Sequence, residues 1–331
     1  MKVTRRAILK SAAVAGCSAF FPAVVSGQAK HVINYGGSGW LGHYPVWVGM
    51  KAGLFGAKGV NVNFQSFGTS SARLGAMLSG DIDLGCTGFV SAVPLMARGS
   101  RHFSIIGAFS NSTNLEGLIA HQDIGSIKSL KGKKIGTSFA STAHLLLLDL
   151  LNTAGLHPET DVTLINISST EMAAALQTRQ LDAVVSWTPQ FNKILTFPGV
   201  KLLANDADFS LYKKYGVSPV PDVLIGRKDY LKAKADAVHL FYKAFSESCV
   251  LLSEDPARCA KYLSDLTNLP AAEQVAVIKD VQWSRADQQK TLLNPSGNFL
   301  TGLQQMADMM GAYKLIEKSP KIGDWIDATY V

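Results

Sequence analysis

Short apolar runs alternate with longer stretches of helical spacing along the chain after residue 30. Runs rich in Val, Ile, Leu and Phe predict strands, and apolar positions three or four residues apart predict helices. Strands are predicted at 32–35, 60–64, 82–86, 104–120 with a polar interruption at 111–114, 135–137, 181–185 and 217–225. Helices are predicted at 44–52, through 74–78, and at 89–98, 142–151, 235–253, 256–266, 271–283 and 299–313. This alternation indicates an α/β fold with mostly parallel sheets flanked by helices.

The order of predicted elements occurs twice. Ala52-Gly53-Leu54 recurs as Ala154-Gly155-Leu156 at an offset of 102 residues, and Ile82-Asp83 recurs as Leu181-Asp182 at an offset of 99. A near-constant offset over several elements indicates one βαβ module built twice. The alternative is chance resemblance between two ordinary βαβ stretches. Two similar lobes whose strand ends face each other would form a cleft, and clefts bind small ligands.

The predicted chain path divides the residues after 29 into two lobes. Lobe 1 comprises 30–113 together with 222–331, and lobe 2 comprises 114–221. The C-terminal helices follow lobe 2 without strands of their own, so we expect them to return and pack on lobe 1. The chain then crosses between the lobes at 111–115 and at 219–222, and two crossings make a hinge.

Residues 1–29 have the pattern of an export signal. Basic residues precede a small and apolar stretch, and Gly27-Gln28-Ala29 offers small residues at a cleavage site. The segment around Arg5-Arg6 resembles the twin-arginine signal, which predicts a periplasmic location. An ordinary signal peptide is one alternative, and lipidation at Cys17 in a lipoprotein-like Val14-Ala15-Gly16-Cys17 box is another. Elsewhere the sequence has no apolar segment of the ~20 residues that a membrane span needs.

The charge of the chain is concentrated in that segment. The formal net charge is +7, from 32 Lys and Arg against 25 Asp and Glu. Lys2, Arg5, Arg6 and Lys10 lie within the first 29 residues, which hold no acid, so 28 basic and 25 acidic residues remain, a net charge of +3. Without a basic stripe, no nucleic-acid partner is indicated. We expect a monomer.

The cysteines predict neither a metal site nor a cofactor site. Cys86, Cys249 and Cys259 remain after cleavage at Ala29, and no Cys or His spacing fits zinc. Cys249 and Cys259 flank a turn between two predicted helices, so they form either a disulfide or two packed thiols.

Two loops match catalytic or cofactor motifs incompletely. The run 37–42 fits the dinucleotide fingerprint, but no acid occurs between Lys30 and Gly80 to hold a ribose. Gly136-Thr137-Ser138-Phe139-Ala140 resembles a loosened nucleophile elbow, so an exported hydrolase using Ser138 is a rival hypothesis. We favour the simpler interpretation that the hydroxyls and N–H groups at 138–142 form an anion site at a helix start.

Further candidate ligand residues follow from the repeat and from two isolated acids. By the 99-residue offset, Thr87-Gly88 corresponds to Ser186-Trp187, so small donors and one indole should meet at the lobe interface. Glu116 follows one crossing, and Asp222 lies in the other among apolar residues. A carboxylate there is costly unless it is paired, either with a ligand ammonium or with a nearby Lys or Arg.

Taken together, these residues resemble the substrate-binding proteins of ATP-driven (ABC) importers for taurine, alkanesulfonates and nitrate, most closely the taurine-binding proteins. The resemblance covers most of the chain after the signal and is strongest at 114–116, 138–144, 187–189, 221–223 and 287–331. It implies the two-lobed (type II) periplasmic binding protein fold, no catalytic activity, no cofactor, and a membrane permease as partner.

The resemblance also implies roles for particular residues. Ser141 and Thr142 would hold a sulfonate, Trp187 would pack on its carbon chain, and Glu116 and Asp222 would receive an amine. Loops of the first lobe would close the other side, through Ser38, Gly39, Trp40, Thr87 and Gly88. Because these loops carry almost no basic residue, we expect neutral donors and helix N-termini to hold the anion. An alkanesulfonate, nitrate or a pyrimidine is the alternative ligand, and a sensory receptor is the alternative partner.

Overall fold

The computed structural model describes residues 30–331. In chain order the strands are β1 (His31–Gly37), β2 (Val60–Ser66), β3 (Leu84–Gly88), β4 (Phe103–Ser112), β5 (Glu116–His121), β6 (Lys134–Thr137), β7 (Thr163–Asn166), β8 (Ala183–Trp187), β9 (Val200–Asn205), β10 (Asp222–Arg227) and β11 (Val281–Trp283). The helices are α1 (Tyr44–Lys51), α2 (Leu54–Ala57), α3 (Ser70–Ser79), α4 (Phe89–Ala97), α5 (Thr142–Thr153), α6 (Ser169–Gln177), α7 (Gln190–Leu195), α8 (Ser210–Tyr215), α9 (Lys228–Ala233), α10 (Ala235–Glu254), α11 (Pro256–Thr267), α12 (Ala271–Lys279), α13 (Ala286–Leu292) and α14 (Asn298–Ala312).

The strands form two mixed sheets, ordered β11-β4-β10-β3-β1-β2 and β7-β6-β8-β5-β9. In the first sheet β1 is parallel to β2 and β3, whereas β10 is antiparallel to β3 and β4. In the second, β6 is parallel to β7 and β8, whereas β5 is antiparallel to β8 and β9. The two-lobed α/β fold is confirmed. In the first sheet β1, β2, β3 and β4 run in one direction, and in the second sheet only β5 opposes the other strands, so both sheets are mixed with a parallel majority. Both β5 and β10 enter directly from a crossing segment, without the helical crossover that would make them parallel.

The chain passes between the sheets at two places. It leaves β4 after Ser112 and enters β5 at Glu116, and it returns between the end of α8 at Tyr215 and Asp222 in β10. All strands of the first sheet fall in 30–113 and 222–331, and all strands of the second fall in 114–221. The limits of the lobes as separate moving units stay a prediction.

The internal repeat is confirmed in local hydrogen bonding. The Asp83 carboxylate accepts from the backbone N–H of Asn34 at 2.9 Å, and the Asp182 carboxylate accepts from that of Lys134 at 2.8 Å. Asn34 lies in β1 and Lys134 in β6, the central parallel strand of each sheet. In each lobe, therefore, the aspartate just before a strand (Asp83 before β3, Asp182 before β8) makes the same hydrogen bond to the backbone of the neighbouring strand.

Two predicted elements differ from the structure. The strand predicted at 217–225 begins only at Asp222, because Pro219 and Pro221 lack the N–H group that a strand interior donates. The helix predicted at 271–283 ends at Lys279, and Val281–Trp283 forms an edge strand of the first sheet. Val281 and Trp283 are buried while Gln282 is exposed, which is the alternation of a strand.

Helix α5 is buried along its length, as its run of leucines predicts. Leu145, Leu146 and Leu147 are fully buried, and their core cluster includes side chains of β5, β8 and α14. Ser141 caps the helix N-terminus, and Gly155 follows its end in the left-handed conformation at φ 77°. This packing fixes the position of the first turn of α5, which faces the cleft described below.

The signal-peptide prediction for 1–29 and the lipidation alternative at Cys17 lie outside the described residues. Within residues 30–331, no helix has both the length and the apolar character that a membrane crossing requires.

Candidate functional site

A cavity of about 350 Å³ lies between the two sheets, where α3, α4 and α5 begin. No acidic residue occurs in the first turn of any of these helices, so their N-terminal dipoles are uncompensated by side chains of that turn. Helix N-termini of this kind favour anions. The lining residues are Ser38, Trp40, Phe67, Gly68, Thr69, Ser70, Arg73, Gly88, Val90, Ser91, Glu116, Ala140, Ser141, Thr142, Trp187, Val220 and Asp222.

The start of α5 is held in place by its own side chains. The Ser141 hydroxyl donates to the Ser138 carbonyl at 2.6 Å and accepts from the His144 N–H at 3.2 Å. Ala140, which also lines the cavity, has a positive φ of 59°. Thr142 donates its hydroxyl proton to Oε1 of Glu116. The loop therefore brings a helix N-terminus, two hydroxyl groups and a carboxylate together.

Glu116 is a buried carboxyl group with spare hydrogen-bonding capacity. Its side chain is 1% exposed, and Oε2 has no partner among the described residues. Burial raises its pKa well above the ordinary value, the charge of Asp206 raises it further, and the Thr142 hydrogen bond opposes both. Asp206 in turn accepts from the backbone N–H groups of Leu115 and Glu116 at 2.8 and 2.9 Å. The crossing into β5 and the Glu116 side chain are thus positioned together.

Asp222 supplies the second buried carboxylate. Its Oδ2 accepts from Trp40 Nε1 at 2.9 Å and from the Ser110 hydroxyl at 3.2 Å, while Oδ1 is buried without a partner in residues 30–331. Burial raises the pKa of Asp222 to about 6, against the lowering effects of Trp40, Ser110 and Arg73. Gly42 lies so close that a Cβ there would be 2.6 Å from the Asp222 carboxyl carbon. Glycine at this position makes room for the carboxylate.

Arg73 is a cleft residue that the sequence analysis missed. Its side chain lies in α3, is 3% exposed and lines the cavity. Arg73 adds a cation to the cleft wall, while the expectation that neutral donors and helix N-termini hold the anion stays a prediction. Arg73 lies four residues before Met77 and next to Leu74, on the buried face of α3, so the helical periodicity carried a signal for its burial.

Eight of the ten predicted ligand residues line the cavity. Trp187 and Trp40 are half-buried indoles of its wall. Two predicted residues, Gly39 and Thr87, lie outside the lining. Gly39 packs near the Leu266 carbonyl, 3.2 Å from the position of a Cβ, and the Thr87 side chain is fully buried within β3. Ala140 belongs to the predicted anion site at 138–142, and Val220 belongs to the predicted crossing at 219–222. Besides Arg73, the lining residues without a predicted role are Phe67, Gly68, Thr69, Ser70, Val90 and Ser91.

The groups required for a Ser138 hydrolase are engaged elsewhere. The Ser138 hydroxyl donates to the Ile167 carbonyl at 2.9 Å. His144 Nδ1 accepts from the Ala140 N–H at 3.3 Å, and the imidazole stacks on Phe139 with ring centroids 4.7 Å apart. Among residues 30–331, no hydrogen bond joins the Ser138 hydroxyl to a histidine, which is the contact that a nucleophile–base pair makes.

The cysteines of the described residues are free thiols. Cys86, Cys249 and Cys259 are all buried, so the structure contains two packed thiols at 249 and 259, the second of the two possibilities. Burial raises the pKa of Cys86 and Cys259 to about 12 in each case.

Two α/β sheets, two crossings and a cleft at the ends of their strands define the two-lobed periplasmic binding protein fold. Solved structures with the same fold include the periplasmic aliphatic sulphonate binding protein SsuA from Escherichia coli, with a TM-score of 0.74 and 21% identity, covering 89% of this chain and 97% of that one. The alkanesulfonate-binding protein SsuA from Xanthomonas axonopodis pv. citri, bound to MOPS, has a TM-score of 0.67 and 21% identity over 89% and 98% of the two chains.

The chain belongs to the NMT1/THI5-like family, which matches residues 40–259. Among curated relatives, the taurine-binding periplasmic protein of Escherichia coli (strain K12) is 28% identical over 200 residues, which are 58% of this chain and 56% of that protein.

Proposed function

We propose that this chain is an extracytoplasmic binding protein that captures a small aminosulfonate, with taurine as the first ligand to test, and delivers it to the membrane permease of an ABC importer. The observation that carries the proposal is a pair of buried, unpartnered carboxylate oxygens in a cleft that is also lined by helix N-termini. Oε2 of Glu116 and Oδ1 of Asp222 are both buried without a partner among residues 30–331. A ligand ammonium would satisfy them.

The anionic end of such a ligand has a suitable environment at α5. A sulfonate is a permanent anion at physiological pH and is matched by the N-terminus of α5. The Ser141 and Thr142 hydroxyls donate to Ser138 and Glu116 in the ligand-free structure, so each would have to turn from that acceptor to donate to the sulfonate. Trp187 adds apolar surface for a short carbon chain. The names of the E. coli taurine-binding and sulphonate-binding proteins support the same ligand class.

Isothermal titration calorimetry with taurine and with its amine-free analogue ethanesulfonate tests the proposal. We expect Glu116→Gln and Asp222→Asn each to weaken taurine binding by about tenfold or more, as loss of a charge-assisted hydrogen bond implies. Ethanesulfonate should be unaffected or bind better. Asp287→Asn, at an exposed aspartate, is the matched control.

The ligand proposal would be refuted by the absence of both heat and thermal stabilisation at millimolar taurine. The amine assignment would be refuted if the two carboxamide variants weakened taurine and ethanesulfonate equally.

The proposed location depends on residues 1–29. Replacing Arg5 and Arg6 together with lysine should leave the protein in the cytoplasm if the segment is a twin-arginine signal. Fractionation of cells that express the two forms would measure this, and unchanged export of the lysine form would favour an ordinary signal peptide.

A further inference from the structure

Arg73 is a buried cation whose charge no side chain neutralises by contact. Nη2 donates to the Ser70 hydroxyl at 3.1 Å, Nε is buried without a partner, and none of the ion pairs found within residues 30–331 involves Arg73. Burial lowers the pKa of Arg73, although the Asp222 charge acts in the opposite direction. Because an uncompensated buried charge is costly, this position is best explained by an anion that arrives with the ligand.

The internal repeat indicates that Arg73 is not required for packing. The corresponding position 99 residues later is Met172, which is fully buried in the apolar core beside the second sheet. The first copy replaces this apolar residue with a guanidinium at the cavity wall. Packing alone would be satisfied by an apolar side chain of similar length.

The two anion-binding features lie on different sheets. Arg73 and Ser70 belong to α3, which is ten residues long and is capped by Thr69. The Ser141 and Thr142 hydroxyls lie at the start of α5 in the other lobe. Both features line the same cavity, so a ligand with two acidic groups could place one at each.

We infer that the cleft contains a second anion subsite centred on Arg73, and that its ligand is an α-amino acid with a sulfonate side chain, of the type of L-cysteate. This inference rests on the proposed function. The ligand carboxylate pairs with Arg73, its ammonium with the carboxylates, and its sulfonate with the start of α5.

The placement of Asp222 supports a carboxylate and an ammonium on one carbon atom. Arg73 and Asp222 both belong to the lobe of the first sheet and both line the cavity. The charge of each affects the pKa of the other. A guanidinium beside a carboxylate is the charge complement of an α-amino carboxylate group. The planar guanidinium can also bind a carboxylate through two parallel hydrogen bonds. A cavity of about 350 Å³ is at the small end of ligand pockets, as such a molecule requires.

The test compares L-cysteate with taurine, which lacks only the carboxylate. By calorimetry, we expect the unmodified protein to bind L-cysteate about tenfold tighter, the effect of one charge-assisted pair. Arg73→Gln should remove that preference, so that the ratio of the L-cysteate and taurine affinities falls from about tenfold to about one. The ratio is the quantity compared, because loss of the Arg73 charge also acts on Asp222 and so on the binding of both ammonium groups. Arg73→Lys should keep part of the preference for L-cysteate over taurine. Arg98→Gln, at an exposed arginine, should change neither affinity.

A second measurement does not depend on folding of a variant. In protein labelled with ¹⁵N-arginine, the Arg73 Nε–H resonance should shift on addition of L-cysteate and much less on addition of taurine. The resonance that disappears from the spectrum of Arg73→Lys is the one that belongs to Arg73.

The possible failures are distinguishable. If taurine binds and L-cysteate binds no tighter, or if Arg73→Gln weakens both equally, the second subsite is overturned and the proposed function stands. If neither ligand binds but malonate shifts the Arg73 resonance, an anion subsite at Arg73 is supported, and both its assignment to a sulfonate amino acid and the aminosulfonate function are refuted. If none of the three binds or shifts the resonance, both are refuted.

Discussion

Replacing Asp222 with asparagine should stabilise the ligand-free protein at neutral and alkaline pH while it impairs binding. Asn has the same shape, so its oxygen can still accept from Trp40 and Ser110, and its amide group takes the place of the unpartnered Oδ1. The variant has no charge to bury. The cost of ionising Asp222 in the folded protein is therefore removed.

The magnitude follows from the difference between the folded and unfolded pKa values. The pKa of Asp222 is about 6 when folded and ordinarily 3.8, so in this window the folded state binds more protons than the unfolded state. The free energy of unfolding then falls as pH rises through the window and becomes level above it. Integration from pH 4.5 to pH 8 gives a loss of about 2 kcal/mol for this one group. Asp222 is 3% exposed, so solvent screening does not reduce this value appreciably.

Urea denaturation of both proteins at pH 4.5 and pH 8 measures the effect. Relative to the unmodified protein, Asp222→Asn should gain about 2 kcal/mol between the two pH values. Glu116 and Asp206 titrate in both proteins, so their contributions cancel in the comparison. Asp287→Asn should show no pH-dependent difference beyond about 0.5 kcal/mol, the range of ordinary surface substitutions. A difference between Asp222→Asn and the unmodified protein that is constant across pH would refute the argument that this carboxyl group is desolvated.

Three further predictions concern packing and the thiols. Gly42→Ala should lower the free energy of unfolding by about 1–3 kcal/mol, because its Cβ would lie 2.6 Å from the Asp222 carboxyl carbon. Gly56→Ala, with nothing within 4 Å of the new Cβ, should be neutral or stabilising in the same urea titration. Equal losses in the two variants would contradict the steric explanation. Leu147→Ala, at a fully buried side chain of α5, should cost about 2–5 kcal/mol, and a loss below about 1 kcal/mol would show that the site collapses around the deletion. Cys86, Cys249 and Cys259 are buried free thiols, so the native signal-cleaved protein should resist modification by iodoacetamide. In denaturant without reductant it should gain three modifications, counted by mass spectrometry. A single modification in denaturant would indicate a disulfide.

The parts of the fold that could be predicted from the sequence are those set by local patterns. The cap at Ser141, the buried leucines of α5 and the paired aspartates at 83 and 182 depend on neighbouring residues or on a repeat visible in the chain. The antiparallel direction of β10 could not be predicted in this way, because it depends on where the chain returns from the other lobe.

For the candidate site, too, the features that could be predicted from the sequence were those set by local patterns. Loops that follow strands could be assigned to the cleft, and most of the residues named there line it. Arg73 was missed because its importance depends on the absence of an ion-pair partner, which only the three-dimensional arrangement reveals. Thr87 was assigned to the cleft from the repeat, but alternate residues of a strand point to opposite faces, and its side chain is buried.

The repeat also explains how the two carboxylates come to share one cleft. Asp222 opens β10 and pairs with Gly88 at the end of β3, while Glu116 opens β5 and pairs with Trp187 at the end of β8. Gly88 and Trp187 are themselves 99 residues apart, so the acids occupy equivalent places in the two sheets. The carboxylate pair is therefore a symmetric feature of the duplicated module. Two differences between the copies involve residues of the cavity wall, Gly88 against Trp187 and Arg73 against Met172. Since both lobes contribute a buried acid at the equivalent place, groups that only one copy has, such as Trp187 and Arg73, would give the ligand its orientation.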